Sequence, residues 1–309
     1  MTWQPAGRED GPAAAGAPVR RTFELPGGGR AEALLAGPPE GLPLVLHNGT
    51  PGGPVIWPGD IEAALARGMR TILVARPGYG GSTPRPGRRV ADVAADVAAV
   101  LDALGCGAFV TVGSSGGGPH ALACSALLPG RCLAAATLAG VAPYRADGLD
   151  FLAGMGPENI EEFRAAADGE AAITAFVTRE AAGLRTVQGA QVADGLGGLV
   201  SAADRAVLDD GYAGHLAASL RSSVSSGIAG WRDDDLAFVS DWGFPLAAAG
   251  PVAIWQGDQD LMVPAAHGRW LAGHIPGARA RLRPGEGHLS LQANRFGEVL
   301  DDLTDLAGQ

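Results

Sequence analysis

The chain has 309 residues, of which 47% are hydrophobic, so it is long enough for one large α/β domain with a sizeable core and an inserted module. Its formal net charge of -10 argues against binding to nucleic acid or to an anionic membrane, because both would require a concentrated basic surface. We therefore expect a small-molecule partner.

The first half of the chain alternates between strand and helix signals. Residues 1–19 are rich in Ala, Gly and Pro without hydrophobic periodicity, which predicts a disordered tail. Arg20–Leu25 and Arg30–Leu35 are predicted strands of an antiparallel edge, joined by a glycine-rich turn. The following units predict a mostly parallel sheet covered by helices on both faces: strands at 44–46, 71–75 and 109–112, and helices at 61–67 and 90–104.

The second half contains a long interruption of this alternation. After a predicted strand at 134–139, residues 144–249 have helical patterns and no clear strand. The rhythm then resumes with a strand at 252–255, a helix at 265–273, a weak strand at 280–282 and a last helix at 291–306. We interpret 20–143 and 250–309 as the core and 144–249 as a helical cap above the strand ends, where open α/β sheets bind ligands.

The segment Gly113-Ser114-Ser115-Gly116-Gly117 joins a β-branched strand to an alanine-rich helix. A serine on such a sharp turn adopts strained backbone angles that require small neighbours, and its hydroxyl projects above the sheet. The alternative is a phosphate-binding turn, but neither Gly-x-Gly-x-x-Gly nor Gly-Lys-Ser/Thr is present. The pattern therefore predicts that Ser115 is a nucleophile.

A serine nucleophile needs a general base and a group that orients the base. His288 lies in a small-residue loop that precedes the last helix, where the alternative role is merely to cap that helix. Asp260 follows the strand at 252–256 and is favoured as the orienting acid over Asp258, which is expected to form a turn hydrogen bond. If neither serves, the acid is expected after the preceding strand, as at Asp147. Activity should then rise with pH around 6–7 as His288 loses its proton.

Acyl transfer also requires backbone donors directed at the developing oxyanion. One is expected to be the N–H of Gly116, directly after the nucleophile. The second is expected from the loop after the third strand, His47–Gly53, which is rich in glycine.

With these residues assembled, the chain resembles the α/β-hydrolase superfamily, in particular its capped esterase, peptidase and C–C hydrolase branch. The resemblance extends from residue 20 to 307 and implies an α/β-hydrolase fold with the cap inserted after strand six. The family's His-Gly-x-Pro-Gly loop appears here as Asn48-Gly49-Thr50-Pro51-Gly52, which assigns the second oxyanion donor to the Thr50 N–H. Two departures are Asn48 in place of His, and Arg76 where the strand-four turn of the family commonly has Asp.

These observations predict a serine hydrolase that cleaves an ester, lactone, thioester or small amide through an acyl-enzyme on Ser115. The alternatives are a C–C hydrolase, a perhydrolase, a biosynthetic cyclase and a non-catalytic ligand-binding homologue. Epoxide hydrolases and haloalkane dehalogenases are disfavoured, since in the family they use aspartate at the elbow. At least one of Trp231, Trp242 and Phe244, in the segment that descends from the cap, is expected to line an apolar substrate cavity.

Cysteine usage and hydropathy complete the expectations. Cys106, Cys124 and Cys132 form no Cys-x-x-Cys pair, so neither a zinc site nor a disulfide framework is indicated. The sequence has no run of eighteen apolar residues and no signal-peptide pattern at its start. We expect a cytoplasmic protein that needs no metal or cofactor, and the sequence has no feature that predicts its oligomeric state.

Overall fold

The structure is a computed structural model that describes residues 17–308. Residues 1–16 of the predicted tail therefore lie outside the described residues. Val19, which was expected to end the tail, is the first residue of the first strand.

Eight strands form one sheet in the order β1-β2-β4-β3-β5-β6-β7-β8. The pairs β1–β2 and β2–β4 are antiparallel, and all other pairs are parallel, which confirms the predicted mostly parallel sheet with an antiparallel edge. The strands are β1 Val19–Glu24, β2 Arg30–Ala36, β3 Leu42–His47, β4 Met69–Val74, β5 Phe109–Ser114, β6 Cys132–Leu138, β7 Val252–Gly257 and β8 Arg279–Arg283.

Eleven α-helices accompany the described part of the sheet. Five belong to the core: α1 Pro58–Leu65, α2 Val93–Ala103, α3 Gly118–Leu127, α10 Ala265–His274 and α11 His288–Ala307. The other six lie between β6 and β7: α4 Pro157–Asp168, α5 Glu170–Leu184, α6 Gly189–Gly195, α7 Ala202–Val207, α8 Asp210–Ser223 and α9 Ala229–Val239. We call the segment 144–249, which contains these six helices, the cap.

The central strands are apolar on both faces, because helices cover both. In β3, Val45 packs into one buried cluster with residues of α2 and α3, whereas Leu44 and Leu46 pack into a second cluster with residues of α1 and α11. This alternation follows from the two-residue period of a strand. In residues 17–308, no helix is both long and apolar enough to cross a membrane.

The cap has its own small apolar cluster, which includes Ile173 and Val177 of α5 and Trp231 of α9. It is also attached to the core by a buried charge cluster around Asp234 of α9. The Asp234 carboxylate accepts hydrogen bonds from Arg76 at 2.6 Å, from Arg88 at 2.6 Å and from the Tyr79 hydroxyl at 2.9 Å. The carboxylate is fully buried and the two arginine side chains are at most 3% exposed, so the cap is held partly by charges that water does not screen.

We predict that Asp234→Asn lowers the free energy of unfolding by about 3–5 kcal/mol, because it leaves two buried arginines without their counter-charge. Urea denaturation of wild type and variant would measure this change. The matched control is Glu161→Gln, which removes an exposed partner of Arg179 and should cost less than about 1 kcal/mol. Equal losses in both variants would contradict a structural role for the buried cluster.

Candidate active site

The strand order brings the predicted site residues to one edge of the sheet. Strand β5 lies between β3 and β6, so the loop after β3 borders the turn after β5. The carboxyl ends of the parallel strands meet at this edge, which is where such sheets bind ligands. Thr50, Ser115 and His288 all line one cavity of about 630 Å³, whose opposite walls come from the cap.

Ser115 occupies a strained turn. Its φ of 53° lies in the left-handed region, which is costly for a residue with a side chain. The flanking glycines allow this geometry, because a side chain on Gly113 would overlap the backbone of Gly117, and one on Gly117 would overlap the backbone of His47. The glycine pattern thus lets the turn that carries Ser115, between β5 and α3, pack against the end of β3.

His288 is joined to Asp260. The His288 Nδ1 lies 2.8 Å from Asp260 Oδ2. The other carboxylate oxygen of Asp260 accepts hydrogen bonds from the backbone N–H groups of Met262 and Val263, at 2.9 and 2.8 Å. Asp258 instead accepts a turn hydrogen bond from the Gly285 N–H at 2.8 Å. The geometry therefore pairs the histidine with Asp260, and neither Asp258 nor the exposed Asp147 takes that place.

The sequence placed His288 in a loop, which is wrong: it is the first residue of α11. The helix begins three residues earlier than the expected Leu291 because the N–H groups of Leu289 and Ser290 find an acceptor in Asp204 of the cap. Burial alone lowers the pKa of His288, but the charge and hydrogen bond of Asp260, with a smaller contribution from Asp204, raise that pKa above the ordinary value of 6.5.

Ser115 and His288 line the same cavity. Within residues 17–308, no hydrogen bond joins these two side chains directly. Catalytic hydrogen bonds are often longer in ligand-free proteins and shorten when substrate binds. Ser115 and His288, the candidate nucleophile and base, thus line the same cavity, and Asp260, the candidate acid, contacts His288 without being among the cavity residues of the described chain.

The two expected oxyanion donors lie close together. A methyl group placed on Gly116 would lie 2.6 Å from Thr50 Oγ1. Gly116 is in the first turn that follows β5, where backbone N–H groups have no partner within the helix. The Asn48 side chain, which stands where the family commonly has His, donates to the Gly53 carbonyl at 2.7 Å and so links the two ends of this loop.

Arg76 has a role that sequence reasoning missed. Its guanidinium donates to the carbonyls of Asn48 at 2.6 Å and Gly49 at 2.9 Å, and its partner Asp234 also accepts from the Thr50 hydroxyl at 2.7 Å. Burial alone would raise the pKa of Asp234, but Arg76 and Arg88 hold it well below its usual range. The sequence shows the unusual arginine in the turn after strand four, but the partner that explains it, Asp234 of the cap, lies 158 residues away.

The cap wall of the cavity includes Trp231, whose Nε1 donates to Glu162 Oε1 at 2.6 Å. Burial raises the pKa of Glu162 to about 7. Of the three aromatic residues of which at least one was expected there, Trp231 is among the cavity residues, and Trp242 and Phe244 are not among those of the described chain. They stack on each other in the core cluster, because the descending segment passes the start of α2, where the Trp242 carbonyl accepts from the Ala91 N–H.

The chain is similar to known proteins in sequence and in fold. The family model described as the alpha/beta hydrolase fold matches residues 43–292. A non-heme chloroperoxidase of Streptomyces lividans is 36% identical over 132 residues, which are 42% of this chain and 48% of that protein. The matching stretch therefore spans about half the length of this curated relative.

Two solved structures share the fold over nearly the whole chain. A bromoperoxidase from Bacillus anthracis has a TM-score of 0.68 and 22% identity, and the match covers 93% of this chain and 100% of that one. An esterase from Rhodococcus has a TM-score of 0.65 and 22% identity, with coverage of 93% and 99%.

We predict that Asp260→Asn lowers the pKa of His288, since the Asp260 charge and hydrogen bond raise it. Asp258→Asn is the matched control, because Asp258 contacts Gly285 and not His288. The measurement is an NMR titration of the His288 imidazole in each folded variant. Equal shifts in both variants, or none in either, would contradict the assignment of the acid.

Proposed function

Because the chain belongs to the α/β-hydrolase fold family, we propose that it is a serine hydrolase that cleaves an ester, lactone, thioester or small amide of a small molecule. The observation that supports this most directly is that two residues line one cavity: Ser115, whose backbone is in the left-handed region, and His288, which is hydrogen-bonded to Asp260. The fold alone would not support it, since this fold carries many activities.

In the proposed reaction, neutral His288 accepts the proton of Ser115 as its hydroxyl oxygen attacks the acyl carbonyl. The N–H groups of Gly116 and Thr50 stabilise the oxyanion that forms, and Arg76 holds the loop that carries Thr50. Asp260 stabilises the imidazolium and fixes its orientation. Imidazolium then protonates the leaving group, and water hydrolyses the acyl-enzyme with His288 again as the base.

The cavity indicates the substrate class. Its cap wall includes the aliphatic residues Leu184, Val187, Val192, Leu196 and Leu220. Its charged members in the described chain are the carboxyl residues Glu158, Glu162 and Glu180, with neither Lys nor Arg among them. A neutral or cationic acyl compound of medium size with apolar substituents suits this lining better than a carboxylate-bearing one.

A second function, perhydrolysis, is favoured by the relatives whose names are chloroperoxidase and bromoperoxidase. In that reaction hydrogen peroxide, in place of water, attacks the same acyl-enzyme and releases a peracid. Oxidation of bromide by peracid, in the presence of hydrogen peroxide and acetate, would detect it. The same Ser115 acyl-enzyme serves both reactions, so loss of Ser115 should abolish both.

We predict that Ser115→Ala lowers kcat for nitrophenyl esters by about four to six orders of magnitude and abolishes labelling by a fluorophosphonate probe. Stability should change little, because Ser115 lies on the cavity surface. Ser114→Ala is the matched neighbour: it removes only a hydrogen bond to Gln292 and should lower activity far less. Loss of labelling in Ser114→Ala with labelling retained in Ser115→Ala would refute the nucleophile assignment.

We further predict that Trp231→Ala changes the preference among ester chain lengths, because it enlarges the cap wall of the cavity. Trp242→Ala is the control of equal size and burial, and it should leave the chain-length profile unchanged. Both substitutions should cost about 3–5 kcal/mol of stability. The measurement is kcat/KM over esters of increasing acyl length. Identical profiles for Trp231→Ala and wild type would remove this residue from the pocket.

A further inference from the structure

One cap side chain reaches the helix that carries His288. Asp204 lies in the first turn of α7, and its side chain is completely buried. One of its carboxylate oxygens accepts hydrogen bonds from the N–H groups of Leu289 at 2.7 Å and Ser290 at 2.9 Å. The other accepts from the Ser201 hydroxyl at 2.8 Å. Asp204 thus satisfies orphan N–H groups in the first turn of α11, from a position 85 residues away in sequence.

Two further contacts hold the first turn of α11 against the cap. A side chain on Gly287 would overlap both the Asp204 carboxylate and the Ser201 hydroxyl. The Tyr212 hydroxyl of the cap donates to the carbonyl of Leu289 at 3.5 Å, on the same turn. The first turn of α11 is therefore held from the cap on both its N–H and C=O groups.

The position is distinctive because His288 is the first residue of that turn. Asp260 holds the imidazole from the core, but the backbone to which the imidazole is attached is held from the cap. A carboxylate at a helix N-terminus is also electrostatically favourable, and its hydrogen bonds to backbone N–H groups are charge-assisted.

We propose that Asp204 is a positioning residue for His288: the cap carboxylate fixes the first turn of α11 so that the imidazole is set between Asp260 and Ser115. The inference rests on the proposed hydrolase function for its kinetic consequences, but not for its structural ones. A docked cap then becomes a condition for a correctly placed base.

The charge of Asp204 supplies a readout that a purely structural role would not change. It contributes to the raised pKa of His288, so its removal should lower that pKa. Asp60 and Glu162 each have a pKa of about 7 and would titrate in the same range, so the His288 resonance itself must be followed. The titratable groups around this turn, all retained in the variants, are Asp60, Glu162, Tyr212, His215, Asp260 and Glu286.

The experiment compares wild type, Asp204→Asn and the control Asp209→Asn by NMR titration of the six histidines, with His288 assigned by its loss in His288→Ala. Asp209 is an exposed cap aspartate that caps α8 through the Tyr212 N–H, so its loss tests a generic effect of helix capping. We expect the His288 midpoint to fall in Asp204→Asn, which removes a charge that raises it, and to stay unchanged in Asp209→Asn. An unchanged His288 midpoint in folded Asp204→Asn would overturn the proposal.

Kinetics form the second readout. We expect Asp204→Asn to lower kcat by about 10- to 100-fold with little change in KM, since the base is misplaced while the pocket persists. Asp204→Glu should recover part of kcat. If Asp204→Asn fails to fold, Ser201→Ala, which removes one hydrogen bond to the same carboxylate, should lower kcat in the same manner, and unchanged kcat in it would overturn the proposal. A wild-type protein that a fluorophosphonate does not label would refute the hydrolase function alone, and the His288 titration would still decide the role of Asp204.

Discussion

The close packing of the turn after β5 against the end of β3 is the constraint on which the site depends. Ser115 adopts a left-handed backbone that costs on the order of 1–3 kcal/mol, and the turn persists because Gly113 and Gly117 let backbone meet backbone. The same contact brings the loop with Thr50 beside Gly116. A single steric arrangement therefore places Ser115, the proposed nucleophile, at the cavity and both proposed oxyanion donors near it.

The rest of the site is held by carboxylates at short range. Asp260 orders the imidazole from the core, whereas Asp234 and Asp204 reach from the cap to the oxyanion loop and to α11. Each cap carboxylate is fully buried and accepts several hydrogen bonds, so removal of either leaves donors unpaired in a low-dielectric interior. The cap consequently contributes contacts that arrange the candidate site and is not only a cover over the cavity.

The sequence predicts geometry that is set by local patterns. The strand, glycine-flanked serine and helix predict the sharp turn at Ser115, and the turn environments of Asp258 and Asp260 separate the two carboxylates, of which Asp260 contacts His288. The sheet and its cap followed from alternation of apolar runs. Those features depend on neighbours within about ten residues, which a sequence displays directly.

It failed where the deciding partner is distant in the chain. The start of α11 depends on Asp204, and the role of Arg76 depends on Asp234, so neither could be derived from nearby residues. The sequence also left open which of Trp231, Trp242 and Phe244 lines the cavity. The route of the segment that carries Trp242 and Phe244 is set by its contact with Ala91, whereas α9 carries Trp231 against Glu162 on the cavity wall.

The two buried carboxylates and the aliphatic part of the cavity wall lie on different helices of the cap. Asp234 and Asp204 lie on α9 and α7, whereas the aliphatic wall is built by α5, α6 and α8, and α6 packs chiefly on α8. Substitutions of Leu184, Val187 or Val192 would alter the shape of the cavity while both anchoring carboxylates remain in place. In the proposed function, the polar contacts hold the candidate site residues in place, and the apolar contacts determine which acyl compounds fit.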